Sequence, residues 1–336
     1  MTEQKQPVVG TEALLTVSPS PHEKRQITTA SVMKDVLIAL LPTTVWGIYI
    51  FGLRAALIVL TCVVCCVVFE ALTQILLHRT VTIADCSAAV TGLLLGLNLS
   101  PAVPFYVPVV GSAFAIIVVK QLFGGIGKNI MNPALAARVF LMMTWAGQMS
   151  LYPAAYDRVG FGADAVASAT PLVALKQGIL PEASLFDLFL GRTGGCIGEI
   201  SVLMLLIGGI YLLARRVIAW HIPVAFLGTV AILTLLFPQG EIEPVTYMLT
   251  SLCSGGLVLG AFFMATDYVT SPVTPVGRLI YGVGCGALVV FLRYFSGYNE
   301  GVSFAILIMN ALVWYLDMAT KPRVFGKKLF EKKQKA

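Results

Sequence analysis

Long apolar runs, separated by short breaks marked by polar residues, glycine or proline, recur along almost the whole chain. Ten stand out, at about 36–53, 55–77, 83–99, 104–122, 133–148, 200–214, 218–237, 246–266, 278–295 and 301–318. Most come close to the roughly 20 residues a helix needs to cross the hydrocarbon core. Within that core a chain satisfies its backbone groups only as helices or a closed barrel. The pattern therefore predicts an all-α polytopic membrane protein with about ten transmembrane helices. It divides the chain into an N-terminal tail (1–35), a first five-helix half (36–148), an extramembrane segment (149–199), a second five-helix half (200–318) and a basic C-terminal tail (319–336).

Composition agrees. Of the 336 residues 57% are hydrophobic and 12% charged, about half the charge of an average soluble domain, which excludes a water-soluble fold. The formal charge of +6 does not point to nucleic acid, because 11 of the 23 Lys and Arg residues lie in or beside the two tails. Such a distribution suits contact with membrane lipid. An even number of crossings puts both tails on one side, and their basic excess makes that side the cytoplasm. Loops then predicted inside carry Arg79, Lys128, Arg215, Arg216 and Arg278, and the outside loop 238–245 carries Glu241 and Glu243; Arg54, in a short outside turn, runs against the rule. The polar start, through Lys34, shows no apolar run ending in a small-residue cleavage site, so no removable signal is expected.

The halves echo each other. Gly92-Leu-Leu-Leu-Gly96 resembles Gly256-Leu-Val-Leu-Gly260, and Phe123-Gly-Gly125 resembles Phe295-Ser-Gly297. Two five-helix repeats would be inverted, an arrangement that places sites near the midplane. Shared Gly-Leu composition accounts for the same likeness.

Soluble-enzyme templates find no footing. His22, His78 and His221 are scattered, and Cys62, Cys65 and Cys66 lie mid-helix without a second ligand pair, so packing is favoured over a metal site. The seven cysteines lie mostly in apolar runs and suggest no disulfide framework. Charges within or beside spans are Glu70, Arg138 and Arg293. An unpaired charge at mid-membrane costs at least ~2.5 kcal/mol, so Glu70 and Arg293 are expected to snorkel or find partners, and Arg138 is the candidate for an interior pair or cofactor contact. Lys128, Asn129 and Asn132 follow a glycine-rich break before the fifth run, with Asp267 and Thr270 in the corresponding turn of the other half. An interrupted helix there suits a bound cofactor or an ion route; helix capping and headgroup contact suit the same residues.

In the segment 149–199 the tract Asp164-Ala-Val-Ala-Ser168-Ala169-Thr170-Pro171-Leu172 surrounds one hydroxyl with small residues. Proline holds Thr170 extended, which suits either a covalent attachment or a helix entry with Thr170 as N-cap and Pro171 at the first position. This tract resembles the flavinylation motif Asp-x-x-Ser/Thr-Gly/Ala-Ala-Thr of the RnfD/NqrB family. The likeness extends to Thr91-Gly-Leu-Leu-Leu-Gly-Leu-Asn-Leu-Ser-Pro101, Phe123-Gly-Gly-Ile-Gly-Lys-Asn-Ile-Met-Asn-Pro133, Gly260-Ala-Phe-Phe-Met-Ala-Thr-Asp267 and Gly297-Tyr-Asn-Glu-Gly-Val-Ser-Phe304, and covers about 35–325. The short N-terminal region resembles the RnfD branch of that family. The motif's Ser/Thr and Gly/Ala positions are Ala167 and Ser168 here, so a hydroxyl stands one residue later.

The resemblance implies an electron-carrying component of a translocase in a bacterial or archaeal inner membrane. Its complex would couple ferredoxin and NAD+ chemistry to Na+ or H+ movement. FMN would be joined to Thr170 through its phosphate, with Asp164, Ser168, Ala169, Pro171 and Leu172 around the attachment, and a flavin transferase and other Rnf-type subunits as partners. A second, non-covalent riboflavin would use Lys128, Asn129, Asn132 or Arg138. The loop cations Arg158, Lys176 and Arg192 are available to offset negative charge. Ser271-Pro-Val-Thr274-Pro275 lacks the preceding Asp and Ala and is rejected as attachment site. A channel or secondary transporter for a small polar solute is the competing reading.

Overall fold

A computed structural model describes residues 28–156, 170–297 and 300–322. Each of the ten apolar runs coincides with helix, and among the described residues there is no strand. The ten are α1 (Thr29–Phe51), α2 (Leu53–Leu76), α3 (Ser87–Leu97), α4 (Tyr106–Gln121), α5 (Pro133–Thr144), α6 (Val202–Ala214), α7 (His221–Leu236), α8 (arms Pro244–Cys253 and Leu257–Met264), α9 (Pro275–Phe295) and α10 (Val302–Thr320). Four are long and apolar enough to span a membrane unaided, and α8 qualifies as a pair of arms bent by 64°. This is a multi-pass membrane protein. Exposed Ile38, Leu41, Val45, Leu60, Val64, Val68 and Leu72 recur at helical spacing along α1 and α2, the apolar stripe a lipid-facing helix presents.

Local sequence sets the helix starts. Thr28 Oγ1 accepts from the Ser31 N–H at 3.2 Å, Asn132 Oδ1 from Ala134 N at 3.0 Å and Thr274 Oγ1 from Gly277 N at 3.0 Å. Pro133 and Pro275 occupy first helical positions, where a missing N–H costs nothing.

The third member of each half is the irregular one. Helix α3 has 11 residues, about 16 Å at 1.5 Å per residue, and ends at Asn98 inside the protein. Helix α8 breaks at Ser254-Gly255-Gly256. Both α4 and α8 finish in wide, π-type turns, Phe114–Gln121 and Gly260–Met264, a feature frequent at functional sites.

The helix ends define two faces. On the tail face Arg215 pairs with Asp35 at 3.3 Å, Arg79 donates to Gln121 O at 3.1 Å, and Thr274 meets Thr320 at 2.5 Å. The segment 149–199 covers part of the opposite, loop face. There it forms two short helices, Pro171–Lys176 and Leu185–Leu190, which bury Leu172, Leu175 and Leu188. Part of its apolar surface is thus packed, while Ile179, Leu180 and Phe186 stay exposed. Arg54 donates to Ala102 O at 3.0 Å, which gives a local partner to the cation that runs against the charge rule.

Candidate functional site

Thr170 takes the N-cap position of the helix Pro171–Lys176, extended at φ −71° and ψ 152°, yet its side chain makes no capping hydrogen bond. Thr274, the rejected alternative, does use its hydroxyl as a cap. Only 9% exposed, Thr170 borders a narrow cavity with Leu172, Thr193, Gly195, Ser254, Glu199 and Glu300 among its walls. Pro171 lies in the same wall. Asp164, Ser168 and Ala169 lie outside the described residues, as does Arg158.

Beneath this cavity sits a buried polar cluster. Arg138, from the middle of α5, is 3% exposed. Its guanidinium binds Glu199 at 2.5 Å, Glu300 in a second, very close ion pair, Cys196 Sγ at 3.5 Å and the Asn98 side-chain carbonyl. The interior pair expected for Arg138 is present, and it belongs to the Thr170 side of the molecule. Glu199 and Glu300 enter from residues just preceding α6 and α10, and Asn98 from the C-terminal end of α3. Burial, followed by the neighbouring Glu199 carboxylate against the pull of Arg138, pushes the Glu300 carboxyl up to about 8. Burial likewise raises the Cys196 thiol and the Tyr152 phenol well above their ordinary values.

Backbone geometry at the α8 break completes the wall. Gly255 has φ +69°, and a Cβ there would lie 2.5 Å from Leu172 Cδ1. A Cβ on Gly256 would meet Glu199 Oε1 at 2.6 Å. Arg293 closes the far side. It is buried rather than snorkelling, and it donates to the Ser251 hydroxyl at 3.0 Å and to Ser251 O at 2.8 Å and Ser254 O at 3.0 Å, carbonyls that the break leaves without helical partners. Of the loop cations, Lys176 donates to Ser296 O, and Arg192 lies 4.0 Å from Asp187 in an exposed pair.

A second concavity, a cleft with a largely apolar wall, opens toward the tail face. Asn129, Asn132 and Asp267 are among its walls, together with Ser87, Lys120 and Tyr268. Asn132 both caps α5 and donates to Met264 O at 3.4 Å. Asp267 accepts from Thr270 at 3.1 Å, and burial raises its carboxyl above the ordinary value. Lys128 is not in this wall: it is exposed and folds over Gly124. Arg138 is absent from it too. The cation that does line the cleft is Lys120, which donates to Ser87 Oγ at 2.6 Å and pairs with Glu70 at 2.7 Å. Glu70 is 1% exposed, and it also accepts from Gln121 at 2.9 Å. The expectation that Glu70 reaches an interface is therefore corrected: its partner comes from the wide turn of α4.

Residues 16–326 match the family described as NQR2, RnfD, RnfE. Among similar proteins is the D component of the Na(+)-translocating ferredoxin:NAD(+) oxidoreductase complex of Acetobacterium woodii, 48% identical over 328 residues, with 97% of this chain and 99% of that one covered. The D component of the proton-translocating ferredoxin:NAD(+) oxidoreductase complex of Clostridium ljungdahlii is 40% identical, with 93% and 96% covered. The D component of the ion-translocating oxidoreductase complex of Stutzerimonas stutzeri is 41% identical, with 88% and 92% covered.

Proposed function

This chain belongs to the NQR2, RnfD, RnfE family, and from that premise we propose that it carries electrons through an FMN esterified to Thr170. It is a subunit of an ion-translocating ferredoxin:NAD+ oxidoreductase, in line with the names of its relatives. A flavin supplies one- and two-electron chemistry, and the protein's part is to hold, orient and tune it.

The observation that carries the reading is the Thr170 hydroxyl, which occupies a cap position without capping and faces a cavity. An open groove on the other side of Thr170, walled by Ala154, Ala155, Ala174, Ala183 and Gly194, leaves room for a bulky group. The tail-face cleft suits a second, non-covalent flavin such as riboflavin: Asn129, Asn132, Thr266 and Asp267 supply polar groups amid an apolar wall. Partners on this reading are the other membrane and peripheral subunits of an Rnf-type complex and a flavin transferase for maturation. The tail face is the cytoplasmic side of a prokaryotic inner membrane. The relatives are named as parts of oxidoreductase complexes, which favours this reading over a solute channel.

Protein purified from native membranes, or co-expressed with a flavin transferase, should keep flavin fluorescence in a denaturing gel. Its Thr170 peptide should gain the mass of one FMN, and Thr170→Ala should abolish both signals. A bare Thr170 peptide from native membranes sinks the proposal.

A further inference from the structure

Beside the tail-face cleft, and sharing Val217, Ile218, Thr266 and Tyr268 with its wall, lies an open groove whose other walls include Arg216, Ile222, Ser271 and Arg278. It sits at the mouth of the seam between α7 and α9, which pack closely: a Cβ on Gly282 would lie 2.9 Å from Ile222 O. Exposed Trp220 precedes α7, and exposed Val224, Val276, Ile280 and Val283 follow along α7 and α9. The groove therefore lies where the apolar belt meets the polar helix ends, the level of lipid headgroups, which tryptophan favours.

Its charge is one-sided. Arg278 Nε donates to Pro272 O at 3.0 Å, which leaves the two terminal nitrogens for another acceptor. Among the described residues neither Arg216 nor Arg278 pairs with a carboxylate. Acids of that face are already engaged: Asp35 by Arg215 at 3.3 Å and Tyr211 at 3.1 Å, Asp317 by Val273 N at 3.0 Å, and Asp267 by Thr270 at 3.1 Å. The backbone adds an independent observation. Arg216 closes α6 at φ +57°, with its N–H on Leu213 O and the Val217 N–H on Leu212 O. Glycine is favoured in that left-handed closure because it has no Cβ. An arginine kept there despite the conformational cost points to a task for its side chain.

We propose that this groove binds the phosphate of one anionic phospholipid. Arg216 and Arg278 grip the phosphate oxygens through charge-assisted hydrogen bonds, Ser271 offers a hydroxyl, and the acyl chains lie on the exposed sides of α7 and α9. The apolar walls, Val217, Ile218, Ala219 and Ile222, suit a lipid better than a free anion, which gains nothing from them. The inference depends on neither the Thr170 reading nor the orientation in the membrane.

The test is native mass spectrometry of the full chain, and of the intact complex, from mixed micelles holding equal amounts of phosphatidylglycerol and phosphatidylcholine. One phosphatidylglycerol should be retained per chain in preference to phosphatidylcholine. Each arginine near an anionic lipid is worth roughly five-fold in binding, so that preference should fall by about this factor in Arg216→Gly and again when Arg278→Gln is added. It should be unchanged in Lys128→Gln, which removes an exposed cation outside the groove. Arg216→Gly eases the turn, so its thermal midpoint in lipid-free detergent should not be lower than that of the wild type. Should Arg278→Gln fail to fold, Arg278→Lys keeps the charge, and the comparison of wild type with Arg216→Gly decides alone. Equal retention of the two lipids by the wild type overturns the proposal, as does a preference that survives in Arg216→Gly or falls as far in Lys128→Gln. Displacement of the lipid by glycerol 3-phosphate would make the ligand a soluble phosphate, and loss of the lipid in the intact complex would mean that a protein covers the groove; either result overturns it.

Discussion

At the scale of single residues, the molecule concentrates its electrostatic cost in a few buried groups. Arg138 offsets Glu199 and Glu300, and Lys120 offsets Glu70, each pair nearly dry. Removing one partner of such a pair typically costs about 3–5 kcal/mol, because the other charge is left uncompensated, whereas replacing all partners by neutral groups is often near neutral. Arg138→Met should therefore destabilise the detergent-solubilised protein by several kcal/mol. Adding Glu199→Gln and Glu300→Gln to that variant should restore part of the loss. The sign with pH follows from the raised carboxyl. The Glu300 pKa is about 8 in the folded protein against an ordinary 4.5, so between those values the folded state binds more protons than the unfolded one. Stability from this group is full below about pH 4.5 and is lost as pH rises through 8. Without Arg138 the Glu300 carboxyl is still harder to ionise, so the deficit relative to wild type should grow as the pH passes about 8, between about pH 7 and about pH 9. Denaturant titrations of both proteins at the two pH values measure it, and an equal deficit at both would refute the account.

At the scale of elements, the break in α8 does what an unbroken helix does not. It frees the Ser251 and Ser254 carbonyls for Arg293 and lets the backbone approach Glu199. Gly256→Ala would place a methyl 2.6 Å from Glu199 Oε1, on a side chain that Arg138 already fixes. A loss of about 1–3 kcal/mol is expected for such overpacking, together with a weaker hold on Arg138. Gly228→Ala, in α7 with nothing within 4 Å of the added carbon, is the matched control and should be neutral or slightly stabilising. Thermal unfolding of the two variants in one detergent separates a crowding effect from a general intolerance of alanine. The elements themselves were legible in the sequence, since each of the ten apolar runs became helix with ends shifted by a few residues. Thr170 and Pro171 were legible as a helix entry, because cap and first-turn preferences are local. What escaped was pairing between residues far apart in the chain. Lys120 drew no reading from the sequence, because the wide turns of α4 that aim it at Glu70 leave no signature in composition. Glu199 and Glu300 appeared only as a loop acid and as part of a glycine-rich tract. Their meeting at Arg138 spans separations of 61 and 162 residues, which periodicity does not report.

At the scale of the whole molecule, the two concavities lie on opposite faces of one core and are joined through it by direct contacts. Glu199 in the loop-face wall binds Arg138, Arg138 binds Asn98, Asn98 reaches Met264 Sδ at 3.8 Å, and the Met264 carbonyl accepts from Asn132 in the tail-face wall. A protein built this way has distinct sides, so its orientation decides which pocket meets which compartment. Ten crossings return the chain to its starting side, and the cations Arg79, Lys128, Arg215, Arg216 and Arg278 lie in the loops predicted to share that side. On the orientation proposed above from the positive-inside rule, the tail face is cytoplasmic and Thr170 lies outside. Intact cells treated with a membrane-impermeant maleimide should label Glu182→Cys, a position in the loop that follows the Pro171–Lys176 helix, above the background of the seven native cysteines. Lys321→Cys, exposed just past α10, should react only after the cells are permeabilised. The reverse pattern would place the Thr170 cavity in the cytoplasm. Labelling of both positions in intact cells would mean that an even number of crossings lies between loop and C-terminal tail, against the five that α6 to α10 supply.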